Sequence, residues 1–533
     1  MSNWQRAGIT RWIQVRNWYS YVLLSGSILG ASSSHAQVWP EIILDTPFGL
    51  GPGSTFGHAL DLRGPLLAVG APGLGLGSTW PGAVYLYDRY EGGIEAWGLV
   101  GTLAADNPYP GAGFGTQVHW HGDMLLVSAP YDIHPGTGLA TGAVYVFRQD
   151  HPQAGEWGLH QVIHPAALAD GLGFGDRLLV HEDLLVVHAP GHDEDPLDGQ
   201  IGSGAFHIFQ QAPDGSFHPQ HVITGNYLVP DSMNLVRPRT TGWMTIAGDV
   251  FAYSSRSGIV NRLEKDALYD AQLLPATPTK IPLSDTLGIQ CTILNFVAVA
   301  ATENHLLLDL HPFCTVEASR VVAYELIGND SLQQTAVLMP DTTLPLNEWF
   351  GWGADLDTYM DVAVVGVRGD ENFIPNGHVE VFRPGAVPQQ DWERIAYLVQ
   401  SDPGYGDQFG RAVAIWDDVV SVGAPFHGPL DLGKVYIFRD PTSSVAERSD
   451  PQDGLLVHPN PISNATTHLR LAGSAPEQGS FDLHAMDGRC LERGTYSNGT
   501  IAWRTRSPGT YLLRVQEMDQ RIEARTIRLI VHD

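Results

Sequence analysis

The densest group of metal-ligating side chains in the sequence is Asp193, Glu194, Asp195 and Asp198, followed by Gly199. Several carboxylates this close together could hold a hard cation such as calcium, with Asp193, Asp195 and Asp198 as oxygen donors and the glycine permitting the turn. The spacing is not that of an EF-hand, and Pro196 interrupts it, so a solvated acidic loop is the competing reading. His119 and His121 alternate along an apolar stretch and would point to one side of a strand, a geometry that can chelate a metal, but no third ligand can be named. Arg368-Gly369-Asp370 is a tripeptide that can act in adhesion at a loop tip and that also arises by chance in a chain of this length. No GxSxG elbow, HExxH pair, P-loop or cysteine–histidine signature is present, so no catalytic residue is assigned.

These residues must be positioned by strands. The chain has 533 residues with 59 glycines and 36 prolines, a composition that suits many short strands joined by turns. Its 58 acidic residues against 30 basic ones give a net charge of −28, which opposes phosphate backbones and anionic lipid and argues against nucleic-acid or membrane-surface partners. Residues 1–36 read as an export signal: Arg6, Arg11 and Arg16 precede an apolar run from Tyr21 to Leu29, and Ser34-His35-Ala36 offers a cleavage site. No stretch reaches the roughly 20 apolar residues of a membrane-spanning helix.

One phrase recurs along the chain. FGHALDLRGPLLAVGAP starts at Phe56, FGTQVHWHGDMLLVSAP at Phe114, FGDRLLVHEDLLVVHAP at Phe174 and FGRAVAIWDDVVSVGAP at Phe409, each followed by a strand such as GAVYLY or KVYIF. Worn copies begin near Thr241, Phe296 and Phe350. That makes seven units at a period of about 60 residues, the signature of a propeller or solenoid. A fourth strand follows in most units, as in WGLVGTLAAD at Trp97, WGLHQVIHP at Trp157 and WERIAYLVQSD at Trp392, with weaker versions in FHPQHVITG, LYDAQLLP and SLQQTAVLMP. The last unit lacks one, whereas VWPEIILD (38–45) stands spare before the first. That strand can complete the seventh unit and close a ring, hiding both sheet edges. The expected fold is all-β, a seven-bladed β-propeller over residues 37–441.

These units resemble the FG-GAP repeat of integrin α-chain heads and of many exported bacterial proteins. The resemblance implies a propeller, and in its integrin form a calcium loop, DxDxDGxxD, between the first two strands. Here that connection is a tight turn, such as Arg63-Gly64-Pro65 or Trp416-Asp417-Asp418, with no room for such a cage. No cofactor is therefore carried over from the resemblance. The long loops, before FG and after GAP, share one face, which makes that face the expected working surface. Tyr109, Tyr131 and Tyr405 lie on these loops. Cys291 and Cys314 flank two strands of the fifth unit on that same face, where a disulfide is plausible in an exported protein.

Residues 442–454 read as a linker and residues 455–533 as a small β-sandwich of six or seven strands. This tail resembles the C-terminal sorting domain of the type IX secretion system of Bacteroidota. The resemblance rests on Pro459, Asn460 and Pro461 (after His458, where members usually have tyrosine), on Asp487, Gly488 and Arg489, and on Gly509 and Tyr511. It implies export through the periplasm to the cell surface or medium. The expected function is a monomeric secreted or surface-displayed binding or adhesion module for a protein or glycan. The alternatives are a polysaccharide-acting enzyme with catalytic groups scattered over the loop face and a structural surface-layer component.

Overall fold

The computed structural model describes residues 39–441 and 455–531 except for internal stretches, the longer being 150–155, 194–203, 225–239, 282–298, 311–319, 339–354, 368–376, 386–391, 459–467 and 518–524. The expected export signal and linker lie outside the described residues, as do Arg368-Gly369-Asp370 and both cysteines of the fifth unit.

Among the described residues, the strands up to Arg439 form seven four-stranded antiparallel sheets. The sequence explains the burial gradient within each one. The middle strands are nearly continuous apolar runs, as in Met124–Ala129 and Leu184–Ala189, where every residue is buried. Such runs belong to sheets covered on both faces. The fourth strands sit outside and carry exposed positions, as in Gly98–Leu103. Side chains alternate between faces along a strand. Val144 and Val146 therefore join the core shared with the third sheet, while Tyr145 and Phe147 join the core shared with the first. Seven apolar cores result, one between each consecutive pair of sheets, including one between the seventh and the first.

The first strands of the sheets, Ala59–Arg63, Val118–His121, Leu178–His181, Thr240–Ala247, Val299–Ala301, Leu356–Tyr359 and Ala412–Trp416, touch one another in that order and back to the first. They enclose a channel. The arrangement is a β-propeller.

The fourth sheet departs from expectation. LYDAQLLP does not form its outer strand. Asp266–Tyr269 is a helical turn that buries Ala267 and Leu268, Ala271–Leu273 is a short 3₁₀ turn, and the outer strand is the two-residue Thr279–Lys280. The Asp270 side chain accepts the Gln272 N–H at 2.9 Å and starts the 3₁₀ turn.

The join between the seventh and first sheets is fastened in several ways. Glu41–Leu44 pairs antiparallel with Lys434–Arg439, placing Glu41 opposite Phe438 and Leu44 opposite Val435. Phe56 bridges to Gly433, repeating the Gly82–Phe114 and Gly142–Phe174 bridges between other sheets. Gly57, at φ +88°, lies against Gly423 so closely that a methyl group on Gly423 would strike the Gly57 carbonyl. Gly70 meets Gly115 in the same way, which explains why the FG glycine and the GAP glycine recur together. Finally, Arg89 forks onto Asp418 at 2.8 and 3.1 Å, and Arg439 reaches the same carboxylate at 2.6 Å.

The described strands from Leu455 onward pair as one antiparallel sheet of seven, around a core that includes Leu469, Phe481, Leu483 and Leu513. No helix among the described residues is long and apolar enough to cross a membrane.

Candidate functional site at the channel mouth

The turn at each FG motif aims the following residues at one end of the channel. There a cavity of about 70 Å³ is walled by His58, Gln117, Arg177, Trp243, Asp355 and Arg411, with apolar first-strand residues between them. All six are half-buried. The Arg177 guanidinium carbon lies 3.7 Å from the Trp243 ring centroid, a close cation–π contact. Arg411 donates to Gln408 Oε1 at 3.1 Å. Burial, with the positive charges of Arg411 and Arg177, holds His58 well below the usual imidazole range, so it is neutral at pH 7. Burial also raises the Asp355 carboxyl, against the pull of Arg177.

Further along the first strands the channel becomes acidic. Asp61 Oδ2 accepts the Trp120 backbone N–H at 2.6 Å, while the Trp120 indole donates to the Asp61 carbonyl at 3.2 Å. Asp357 repeats the device, accepting the Ile415 N–H at 2.9 Å and its own neighbour Thr358 N–H at 2.8 Å. The physical reason is that a first strand has no ladder partner on its channel side, and a carboxylate from the preceding sheet satisfies the exposed N–H. Burial pushes Asp61 up to about 7, and burial with the nearby Asp61 charge pushes Asp357 up to about 8. His119 stands 3.4 Å from Asp61, and burial lowers it to about 4.

These shifts make the ring's stability depend on pH. A carboxyl raised in the folded state contributes stability that is complete below its unfolded value and is lost as pH rises through its folded one. Burial raises Asp61 and Asp357 into the interval between pH 7 and pH 9, and it raises Asp309 well above its ordinary value, which adds a loss of the same sign. The expected loss from Asp61 and Asp357 together is about 2 kcal/mol over that interval, with the Asp61 share reduced because a fifth of its side chain is exposed. The melting temperature should fall from pH 7 to pH 9 in the natural chain and fall by less in Asp357→Asn. Equal slopes would contradict this.

A second polar group braces a long loop on the mouth face. Asp407, 1% exposed, accepts Gln400 Nε2 at 2.7 Å and the Gly404 N–H at 2.8 Å, with His427 at 3.2 Å. Asp402 takes Lys434 at 2.6 Å and the Tyr436 hydroxyl at 2.7 Å. The loop therefore presents Tyr405, 75% exposed, on a fixed base. Tyr131, on the loop after Ser128-Ala129-Pro130 of the second unit, is half exposed, and its carbonyl accepts the Tyr109 hydroxyl.

The residues singled out from sequence fare unevenly. Asp193 is half-buried, while Asp195 and Asp198 lie outside the described residues, as do Cys291, Cys314, Pro459, Asn460, Pro461, Asp487, Gly488 and Arg489. Gly509 and Tyr511 begin a strand of the final sheet, where Tyr511 packs against its core. His119 and His121 have separate partners: His119 faces Asp61, while His121 lies 3.2 Å from Gln211 and against Phe217. Among the described residues no group of three histidine, cysteine or acidic side chains converges as a metal site. Sequence reasoning missed Arg177, Arg411, Asp61 and Asp357. Their signal was positional, since each occupies a channel-facing place shortly after an FG or its counterpart.

Comparison with known proteins agrees with the repeat. The FG-GAP repeat family matches residues 97–147 and 392–438. Both stretches are similar to FG-GAP repeats. Each match runs from the outer strand of one sheet to the third strand of the next, so the sequence repeat is offset from the sheet by one strand. That offset leaves a spare strand at the front of the array and a vacancy at its end. No curated protein matches the chain. Among solved structures, a chain in the crystal structure of the mitotic checkpoint complex aligns with a TM-score of 0.43 at 11% identity, covering 78% of this chain and 99% of its own. BamB from Moraxella catarrhalis aligns with a TM-score of 0.34 at 9% identity, covering 72% of this chain and 82% of its own.

Proposed function

We propose that the chain is a secreted or surface-displayed binding module: a seven-bladed FG-GAP propeller that holds an extracellular protein or glycan on its long-loop face. The observation that carries this reading is on the loop face beside the channel mouth, where Tyr405 stands exposed on the loop braced by Asp407 and Tyr131 stands exposed on a loop of the second sheet. Exposed tyrosines offer stacking area and a hydroxyl at low entropic cost, which suits sugar rings and peptide backbones alike. The seven four-stranded sheets and their cyclic contacts support the blade count. The C-terminal unit, a single seven-stranded antiparallel sheet, is read as a type IX sorting domain, which together with residues 1–36 would deliver the propeller to the surface of a member of the Bacteroidota. That assignment rests on the motifs at Pro459, Asp487 and Gly509.

Binding of the full chain to glycan and extracellular-matrix arrays tests the proposal. Reproducible hits that are lost in a Tyr131→Ala, Tyr405→Ala double variant are the expected result. Blank arrays, or hits indifferent to both tyrosines, would count against it.

A further inference from the structure

We infer that the channel mouth is a binding site for a small monocarboxylate, gripped between Arg177 and Arg411. The cavity of about 70 Å³ has room for an acetate-sized group. By volume it would otherwise hold about two waters, at about 30 Å³ each. Guanidinium groups present paired N–H donors that match the planar oxygens of a carboxylate. Both arginines are held in place before any ligand arrives, Arg177 by the face of Trp243 and Arg411 by Gln408. A prepositioned donor gives up little freedom on binding.

The remaining wall fits the same ligand. Gln117 spends one amide hydrogen on the Thr116 carbonyl, at 3.0 Å, and keeps the other. His58 Nδ1 is buried without a hydrogen-bond partner, which leaves a nitrogen for a guest to satisfy. Asp355 shares the wall with the two arginines and offsets part of their charge, so a singly charged anion suits the site better than sulfate or phosphate. The location is also against the general trend of the chain: with 58 acidic residues to 30 basic, two arginines gather where the channel opens onto the loop face. The inference deepens the proposed function, and rests on it only for the idea that the carboxylate belongs to a larger ligand lying across the loops.

The test is titration of the full chain with sodium acetate at pH 7 and constant ionic strength, followed by calorimetry and tryptophan fluorescence. Acetamide and sodium sulfate serve as comparisons. The expected result is saturable acetate binding, weak or absent acetamide binding, and at least a tenfold loss of affinity in an Arg177→Gln, Arg411→Gln double variant whose circular dichroism is unchanged. Arg411→Lys, which keeps charge but not the fork, should lose less. If the double variant fails to fold, Arg411→Lys and Gln117→Leu carry the test, each weakening acetate binding. No saturable acetate binding, tighter binding of sulfate, or affinity indifferent to these substitutions would overturn the inference. Acetate binding together with array hits that survive the arginine substitutions supports the site and overturns its link to a larger ligand, while sparing the proposed function. Acetate binding with blank arrays supports it and removes the proposed function.

Discussion

Removing residues 38–45 is expected to lower the melting temperature of the ring by about 6 °C. Trp39 and Leu44 are buried, and Ile42 and Ile43 pack against the cores on either side of the seventh sheet. At about 1.5–3 kcal/mol for each fully buried apolar side chain, and less for the two half-buried ones, the strand contributes on the order of 5 kcal/mol. A whole domain is stable by only about 5–15 kcal/mol. The deletion also strips the Lys434–Arg439 strand of its partner, leaving an open edge that invites association. Calorimetry and size-exclusion chromatography would show a lower transition and new oligomers. An unchanged transition would mean that the segment trims away harmlessly.

Replacing Asp418 with alanine is expected to cost about 3 kcal/mol. Its side chain is 8% exposed and Arg89 is 11% exposed, so the fork between the first and seventh sheets is largely desolvated. Breaking such a pair leaves buried positive charge uncompensated, and this is costlier than the pair was worth. Glu95, 2.8 Å from Arg89, retains part of the network and keeps the loss below the extreme. The sign with pH is opposite to that of the channel carboxylates. Burial opposes the Asp418 charge, but hydrogen bonds from Arg89 and Arg439 outweigh it and hold the carboxyl below its ordinary value. Its contribution is therefore present above the unfolded pKa and lost as pH falls through the folded one. Denaturation curves at pH 7 should separate the natural chain from Asp418→Ala, and the gap should narrow under strongly acid conditions. A gap that stays constant with pH would place the effect elsewhere.

The ring was legible because its grammar is local. Phe-Gly, a tight turn and Ala-Pro recur with a register that survives wear, and the spare 38–45 strand had one vacancy to fill. The fourth sheet was misread because the apolar spacing of LYDAQLLP suits a strand or a helical turn, and the Asp270 side chain tips it to the second. The channel mouth was hidden for a different reason. Arg177 and Arg411 belong to units more than 200 residues apart (411 − 177 = 234), and each looks like ordinary variation at a polar position. Only the closed ring brings them together. The His119–His121 pattern shows the converse: a spacing that suggested chelation dissolves because the preceding sheet supplies Asp61 to the first imidazole and the third sheet supplies Gln211 to the second. The turn at Asp417-Asp418 was correctly read as a turn, with Asp417 at φ +53°, but its role in fastening the ring depends on Arg89, which no local pattern links to it.

Closure of the ring by its own leading strand is the claim on which the rest depends, and amide hydrogen exchange measures it in the unaltered chain. The amides of Glu41–Leu44 that bond to Lys434–Arg439 should be as well protected as those of Val419–Ala424 in the middle of the same sheet, while the alternate amides on the open edge exchange freely. Exchange of every Glu41–Leu44 amide within seconds, with Val419–Ala424 still protected, would show that the strand is not part of the ring.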